Sequence, residues 1–230
     1  MSIETAWVPV ALSSSIEPGT SAGAVVDGAE IVVWRDAKGA AHVWEDRCPH
    51  RGMRMSFGFV RGDHIACLYH GWSYDTAGQC THIPAHPDLD VPKTIRVTTY
   101  AAEERNGVIW AALADHADVA SIPDLGVGLN VRSLYADCTM QQAMNVLKEA
   151  QLPTKEGILP ASFEILTANA WRLVAGDLRV AFAVQVISAG RLALHLVTDA
   201  GSTALRPALV RWAEALRLTL EAPSPLAQVA

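Results

Sequence analysis

Arg47-Cys48-Pro49-His50-Arg51-Gly52 and, after sixteen intervening residues, Cys67-Leu68-Tyr69-His70 form two short Cys/His hooks. Two thiolates and two imidazoles can hold a tetrahedral zinc ion, or a [2Fe-2S] cluster in which two histidines replace two cysteines on one iron. A Cys-x-x-Cys zinc knuckle aims both thiolates at one ion, whereas each hook here offers one sulfur and one nitrogen. Each hook can therefore give its Cys to one iron and its His to the other. Without a metal, four such residues would have to fall into two matched hooks by accident.

The surrounding sequence sharpens this. Six of the eight histidines, His42, His50, His64, His70, His82 and His86, lie in the first 86 residues. Four cysteines are too few for a disulfide scaffold in 230 residues, so Cys80 and Cys138 read as ordinary buried thiols. With 50% hydrophobic residues the chain can bury one large or two small cores. A formal net charge of −6 without a basic cluster argues against nucleic acid as a partner. Neither a signal segment nor an apolar run of about 18 residues is visible, so a soluble, cytoplasmic protein with no membrane association is expected.

Outward from the hooks, Ile31–Trp34, the turn Asp36–Gly39, Ala41–Trp44 and Val108–Ala112 read as short strands and a turn of an all-β first domain, residues 1–114. The polar run 115–124 with Pro123 reads as a linker. A second, α+β domain over 125–222 is expected to hold a helix at Thr139–Ala150, then strands Ser162–Ala168, Leu178–Ser188 and Arg191–Thr198 in a small antiparallel sheet. Val180, Phe182, Val184 and Val186 share one face of the middle strand. Leu205, Leu209, Trp212, Leu216 and Leu220 recur at spacings of three and four. They predict a long C-terminal helix packed on that sheet, capped by Ser202 or Thr203, with Pro207 in its first turn and a frayed tail over 223–230.

The hooks, extended to Arg47–Gly52 and Cys67–Asp75, resemble the Rieske domain of the ring-hydroxylating, non-haem iron oxygenases, α-subunit type. The flanking Trp7-Val8-Pro9-Val10, Gly78-Gln79-Cys80 with Ile83-Pro84, and Glu104–Trp110 agree with it. The resemblance covers roughly the first half of the chain. It implies that Cys48 and Cys67 bind one iron of a [2Fe-2S] cluster and His50 and His70 the other. Neutral imidazoles in place of thiolates leave the cluster less negative, and Rieske potentials span about −150 to +300 mV against about −400 mV for plant-type ferredoxins. Respiratory Rieske proteins carry a further cysteine in each hook. Neither hook has one and Trp72 follows Gly71, so the lower part of the range is expected.

Oxygenases of this family also hold a mononuclear iron with two histidines and a carboxylate, following a helical pattern Asn-x-x-Asp-x-x-His-x-x-x-x-His. Aligning its Asn with Asn145 puts Lys148 at the acidic position and Gln151 and Glu156 at the histidine positions. No Asp follows Gly201, which leaves Glu214 as the substitute for the third ligand, and beyond the Rieske region only His116 and His195 remain. The expectation is therefore a shortened, degenerate catalytic domain with no mononuclear iron, no catalytic residues and no independent oxygenase activity. The chain reads as a Rieske electron-transfer or structural subunit of an oxygenase system. Its partners would be a full-length oxygenase subunit, a reductase or a ferredoxin, in a hetero- or homo-oligomer. The alternatives are a monooxygenase or dioxygenase acting on a small apolar or aromatic substrate, and a non-redox scaffold stapled by its cluster.

Overall fold

Alternate residues of Ala29–Arg35 belong to two different cores: Val32 and Trp34 face one, Ile31 and Val33 the other. A strand buried on both faces reads as a continuous apolar run, as this one does. The computed structural model describes residues 7–114, 117–199 and 204–222. The chain divides into two compact units, 1–105 with 109–122, and 106–108 with 123–230.

In the first unit, strands β1 (Val8–Leu12), β2 (Ser21–Val26), β3 (Ala29–Arg35), β4 (Ala41–Glu45), β9 (Thr99–Arg105) and β10 (Val108–Ala112) make a six-stranded sheet in the order β1-β10-β9-β4-β3-β2. The expected turn is present, with Asp36 Oδ1 accepting from the N–H groups of Lys38 and Ala40 at 2.9 and 3.0 Å. A second sheet of four short strands, β5 (Phe59–Arg61), β6 (His64–Ala66), β7 (Ser73–Asp75) and β8 (Cys80–His82), runs in sequence order. Residues of both sheets meet in one core, where Trp34, Trp44, Met55, Ile65 and Tyr74 are buried with Cys48, Cys67 and Cys80. Burying each large side chain is worth about 1.5–3 kcal/mol. Of the stretch expected as a linker, Asp115 and His116 lie outside the described residues. Asp118 C=O accepts from Trp7 Nε1 at 2.9 Å, and Ile122 is buried with its carbonyl on Arg105 Nη1 at 3.0 Å.

The second unit is α+β, as expected. Strands β11 (Leu129–Ala136), β14 (Ser162–Thr167), β15 (Ala170–Ala175), β16 (Leu178–Ser188) and β17 (Arg191–Thr198) form an antiparallel sheet in the order β11-β17-β16-β15-β14. Helix α1 (Met140–Lys148) starts on a capping box in which Thr139 Oγ1 accepts from Gln142 N–H while the Gln142 side chain accepts from Thr139 N–H. Helix α2 (Arg206–Glu221) has Pro207 in its first turn and buries Leu209, Ala213, Leu216 and Leu220 in one core with Val180, Phe182 and Val184 of β16 and Leu194 of β17. Its N-cap is Leu205, and the expected caps Ser202 and Thr203 lie outside the described residues, as does the tail 223–230. Among the described residues no helix is long and apolar enough to cross a membrane.

Candidate metal centre

The two hooks differ in sequence yet close in the same way. In the first, Cys48 N–H donates to Met53 C=O at 2.8 Å and Gly52 N–H to Cys48 C=O at 2.8 Å. In the second, Cys67 N–H donates to Trp72 C=O at 2.9 Å and Gly71 N–H to Cys67 C=O at 3.0 Å. The glycine four residues after each cysteine sits at φ +73° and +71°, a region costly for residues with a Cβ, so the loops can turn back on the cysteine. The histidine lies two residues after Cys48 but three after Cys67, and the common closure absorbs that difference.

Each hook is also anchored from outside. Asp46, buried at the end of β4, accepts from Ser56 N–H and Ser56 Oγ, both at 2.6 Å, and ties the two ends of the first loop together. The second hook joins β6 to β7, whose Ala66 and Ser73 pair directly.

The arrangement brings like donors together. Cys48 and Cys67 are both buried, and their sulfurs are close enough to hydrogen-bond. His50 and His70 sit edge to face with ring centroids 4.7 Å apart, His50 half-buried and His70 exposed. Trp72 stacks flat on His50 at 4.1 Å, and the Tyr69 ring lies 3.9 Å from that of His70. Among the described residues, no three His, Cys, Asp or Glu side chains gather around one point as a single ion would require. Two buried sulfurs and two outward imidazoles suit a two-iron group.

The electrostatics of the sulfurs fit as well. Burial pushes the Cys67 thiol up and the neighbouring Cys48 adds to this, while the N–H groups of Tyr69 and His70 favour the thiolate. Two thiolates side by side in a core need a cation, which iron would supply. Tyr74, fully buried, places its hydroxyl 3.2 Å from Cys48 Sγ, and burial pushes its ionisation upward, so it stays neutral and would donate to that sulfur as a thiolate. Cys80 is buried in the same core with Sγ 3.8 Å from His82 C=O, and Cys138 is buried in the core of the second unit. Asp46 lies outside the motif stretches, and Tyr74 lies within Cys67–Asp75 with no role that spacing alone assigns. An acidic residue directly before a hook, and the phenol seven residues after Cys67, were the available signals.

In the second unit the positions aligned to an iron site fall on three different elements. Helix α1 ends at Lys148, Gln151 lies exposed on β12 (Gln151–Thr154), and Glu156 is exposed in the turn to β13 (Gly157–Pro160). Glu214 pairs with Arg132 at 2.5 Å. His195 is fully buried on β17, its Nδ1 2.8 Å from Ser133 Oγ and its Nε2 3.1 Å from Gln185 Oε1, so both ring nitrogens are engaged in the core. Burial lowers its pKa to about 4 and keeps it neutral. His116 lies outside the described residues.

Residues 6–100 match the Rieske [2Fe-2S] domain. The chain is 35% identical over 150 residues to Oxidoreductase NdmD of Pseudomonas putida, a match covering 62% of this chain and 26% of that protein. It is 31% identical over 185 residues to the chloroacetanilide N-alkylformylase oxygenase component of Rhizorhabdus wittichii, covering 75% and 52%. The chain thus spans between a quarter and about half of the length of these relatives. The crystal structure of dicamba monooxygenase superposes with a TM-score of 0.76 at 18% identity, covering 95% of this chain and 85% of that one, which shows a shared fold. A Rieske domain implies a [2Fe-2S] cluster, and residues 6–100 of this chain are such a domain, in a chain that resembles the oxygenases in sequence and shares the fold of dicamba monooxygenase.

Proposed function

We propose that Cys48 and Cys67 hold the inner iron of the [2Fe-2S] cluster and His50 and His70 the outer one. The chain serves an oxygenase system as its Rieske electron-transfer or structural subunit, without a mononuclear iron of its own. The observation that carries this is the identical closure of the two hooks, which buries both sulfurs and presents both imidazoles at the surface. When bound, the cluster takes up and passes on one electron. Tyr74 and the N–H groups of Tyr69 and His70 stabilise negative charge on the sulfurs, and Trp72 covers one face of His50. Lys148, Gln151 and Glu156, standing where the pattern has a carboxylate and two histidines, support the lack of a second iron site. The electron's destination is then a partner, a full-length oxygenase subunit, with a reductase or ferredoxin as donor. The name of the Rhizorhabdus relative, an oxygenase component, supports such a system.

One observation favours a second reading, an oxygenase acting on a small apolar or aromatic substrate. A cleft of about 690 Å³ lies between α1 and α2, walled by Val146, Ala150, Trp212, Leu216 and Leu220. Glu149 is the carboxylate on its lining, beside the amides of Gln142, Asn145 and Gln151. Paramagnetic resonance of the reduced protein, with an assay for oxygen-dependent product, tests both. The account expects the low average g value of mixed sulfur and nitrogen ligation and no turnover by the isolated chain. A zinc-only protein overturns the cluster, and turnover by the isolated chain favours the second reading.

A further inference from the structure

The cleft between α1 and α2 is charged on one side only. Among the described residues, Glu149 is the charged group on its lining, and no Lys, Arg or His joins it there. Glu149 is exposed and, among the described residues, in no ion pair, whereas Glu214 and Glu221 of α2 are held by Arg132 and Arg217. The amide carbonyls beside it are taken: Gln142 Oε1 accepts from Thr139 N–H in the capping box, and Asn145 Oδ1 accepts from Gln141 Nε2 at 2.9 Å. Thr219 Oγ1 donates to Ala215 C=O at 3.2 Å. The carboxylate of Glu149 is thus the strongest acceptor left. The backbone adds charge of the same sign. Glu149 is the C-cap of α1 and Ala222 that of α2, so both helices end at this cleft. The carbonyl end of a helix carries about half a negative charge. The last turn of α2 has no basic residue, and Lys148 in that of α1 stands off the lining. Beneath this rim the buried Leu216 and Leu220 form an apolar floor, with the half-buried Trp212 beside them.

An acidic rim over an apolar, aromatic floor selects by charge. An anionic ligand meets a carboxylate and two helix C-termini, whereas an ammonium ion gains from all three and from a nearby indole. A volume of about 690 Å³ is that of a small-molecule site. We propose that this cleft binds a small organic ammonium ion, with its charge against Glu149 and its apolar body over Trp212, Leu216 and Leu220. Binding makes and breaks no covalent bond and needs no metal. The inference therefore goes beyond both functional readings, and gives the second unit a ligand-binding role whether or not the bound molecule is turned over.

The test titrates the full chain at neutral pH and low salt with benzylammonium chloride, benzyl alcohol and sodium benzoate, probes of similar shape and different charge. Calorimetry gives the affinities. The indole N–H resonance of Trp212, assigned as the one missing in Trp212→Phe, locates the site. Benzylammonium is expected to bind about tenfold tighter than benzyl alcohol, with benzoate weakest, and to shift the Trp212 signal. Glu149→Gln should lower the benzylammonium affinity about fivefold and leave that of benzyl alcohol within about twofold. Because Glu149 is exposed, this variant should melt like the wild type. Glu103→Gln removes the same charge from the first unit and should bind like the wild type, which separates the cleft from general attraction to a net-acidic chain. Benzyl alcohol or benzoate binding as tightly as benzylammonium overturns the proposal. So does a Glu149→Gln affinity equal to that of the wild type, a Trp212 signal that does not move, or the absence of any measurable binding of benzylammonium. The paramagnetic resonance signal and the assay for oxygen-dependent product, read on the same samples, test the two functional readings separately, so their failure is distinguishable from failure of the cleft.

Discussion

Replacing Tyr74 by Phe removes one hydroxyl from a fully buried position and changes little else. That oxygen lies 3.2 Å from Cys48 Sγ, and burial keeps the phenol protonated, so it donates to the sulfur at any working pH. Reduction places more negative charge on the cluster and its sulfurs, so the bond strengthens in the reduced state. A hydrogen bond to a charged acceptor is worth about 1.5–3 kcal/mol, and the part gained on reduction is a fraction of this, about 1 kcal/mol. For a one-electron couple about 1.4 kcal/mol corresponds to 59 mV, so Tyr74→Phe should lower the midpoint potential by about 40 mV. Water cannot replace the donor because the site is closed. A potentiometric titration followed by paramagnetic resonance reads the shift directly. A potential unchanged to within about 10 mV, or raised, would refute the role given to Tyr74.

Three further outcomes follow from the geometry. His195 carries a folded pKa of about 4 against about 6.5 when unfolded, so its contribution to stability is constant above pH 6.5 and is lost as pH falls from 6.5 toward 4, by up to about 3 kcal/mol. Urea denaturation at pH 7.5 and 5.5 should show about 1.4 kcal/mol of that loss in the wild type and a smaller one in His195→Gln, and parallel losses would contradict the assignment. Gly71→Ala puts a Cβ at φ +71° with Pro84 Cγ 3.0 Å away, so it should cost about 1–2 kcal/mol and reduce the iron bound per chain, measured by melting and iron assay. Thr139→Ala removes the capping box of α1 and should lower stability by about 1 kcal/mol in thermal melts, with the resonance signal unchanged.

The elements most readable in the sequence were those whose apolar period decides both type and face. Leu178–Ser188 and Arg191–Thr198 are found with the expected ends, and the stripe on α2 buries Leu209, Leu216 and Leu220 as its spacing requires. Trp212 is only partly buried and Ala213 lies deeper, because the stripe of a real helix is wider than its large residues. The hairpin from Gln151 to Pro160 was not legible. Its strands are four residues each, and Pro153 and the exposed Ile158 obscure any alternation. The strand Leu129–Ala136 was hidden by its mixed polar pattern, with Asn130 and Arg132 breaking the period at a bulge. At the site, the hooks announced themselves by residue type and spacing. Their supports did not, because Asp46 and Tyr74 act through contacts that only folding makes: Asp46 with Ser56 ten residues away and Tyr74 with Cys48 across two loops.

The most direct test is Mössbauer spectroscopy of protein enriched in ⁵⁷Fe and purified without oxygen, because it counts irons and reports each one's valence and ligands together. The account predicts two inequivalent irons in equal amounts. On one-electron reduction, one becomes ferrous, and that iron carries His50 and His70. His70→Cys should make the two irons more alike. A third, isolated high-spin ferrous iron would contradict the claim that this chain carries a cluster and no oxygen-activating metal, and the absence of paired irons would contradict the cluster itself.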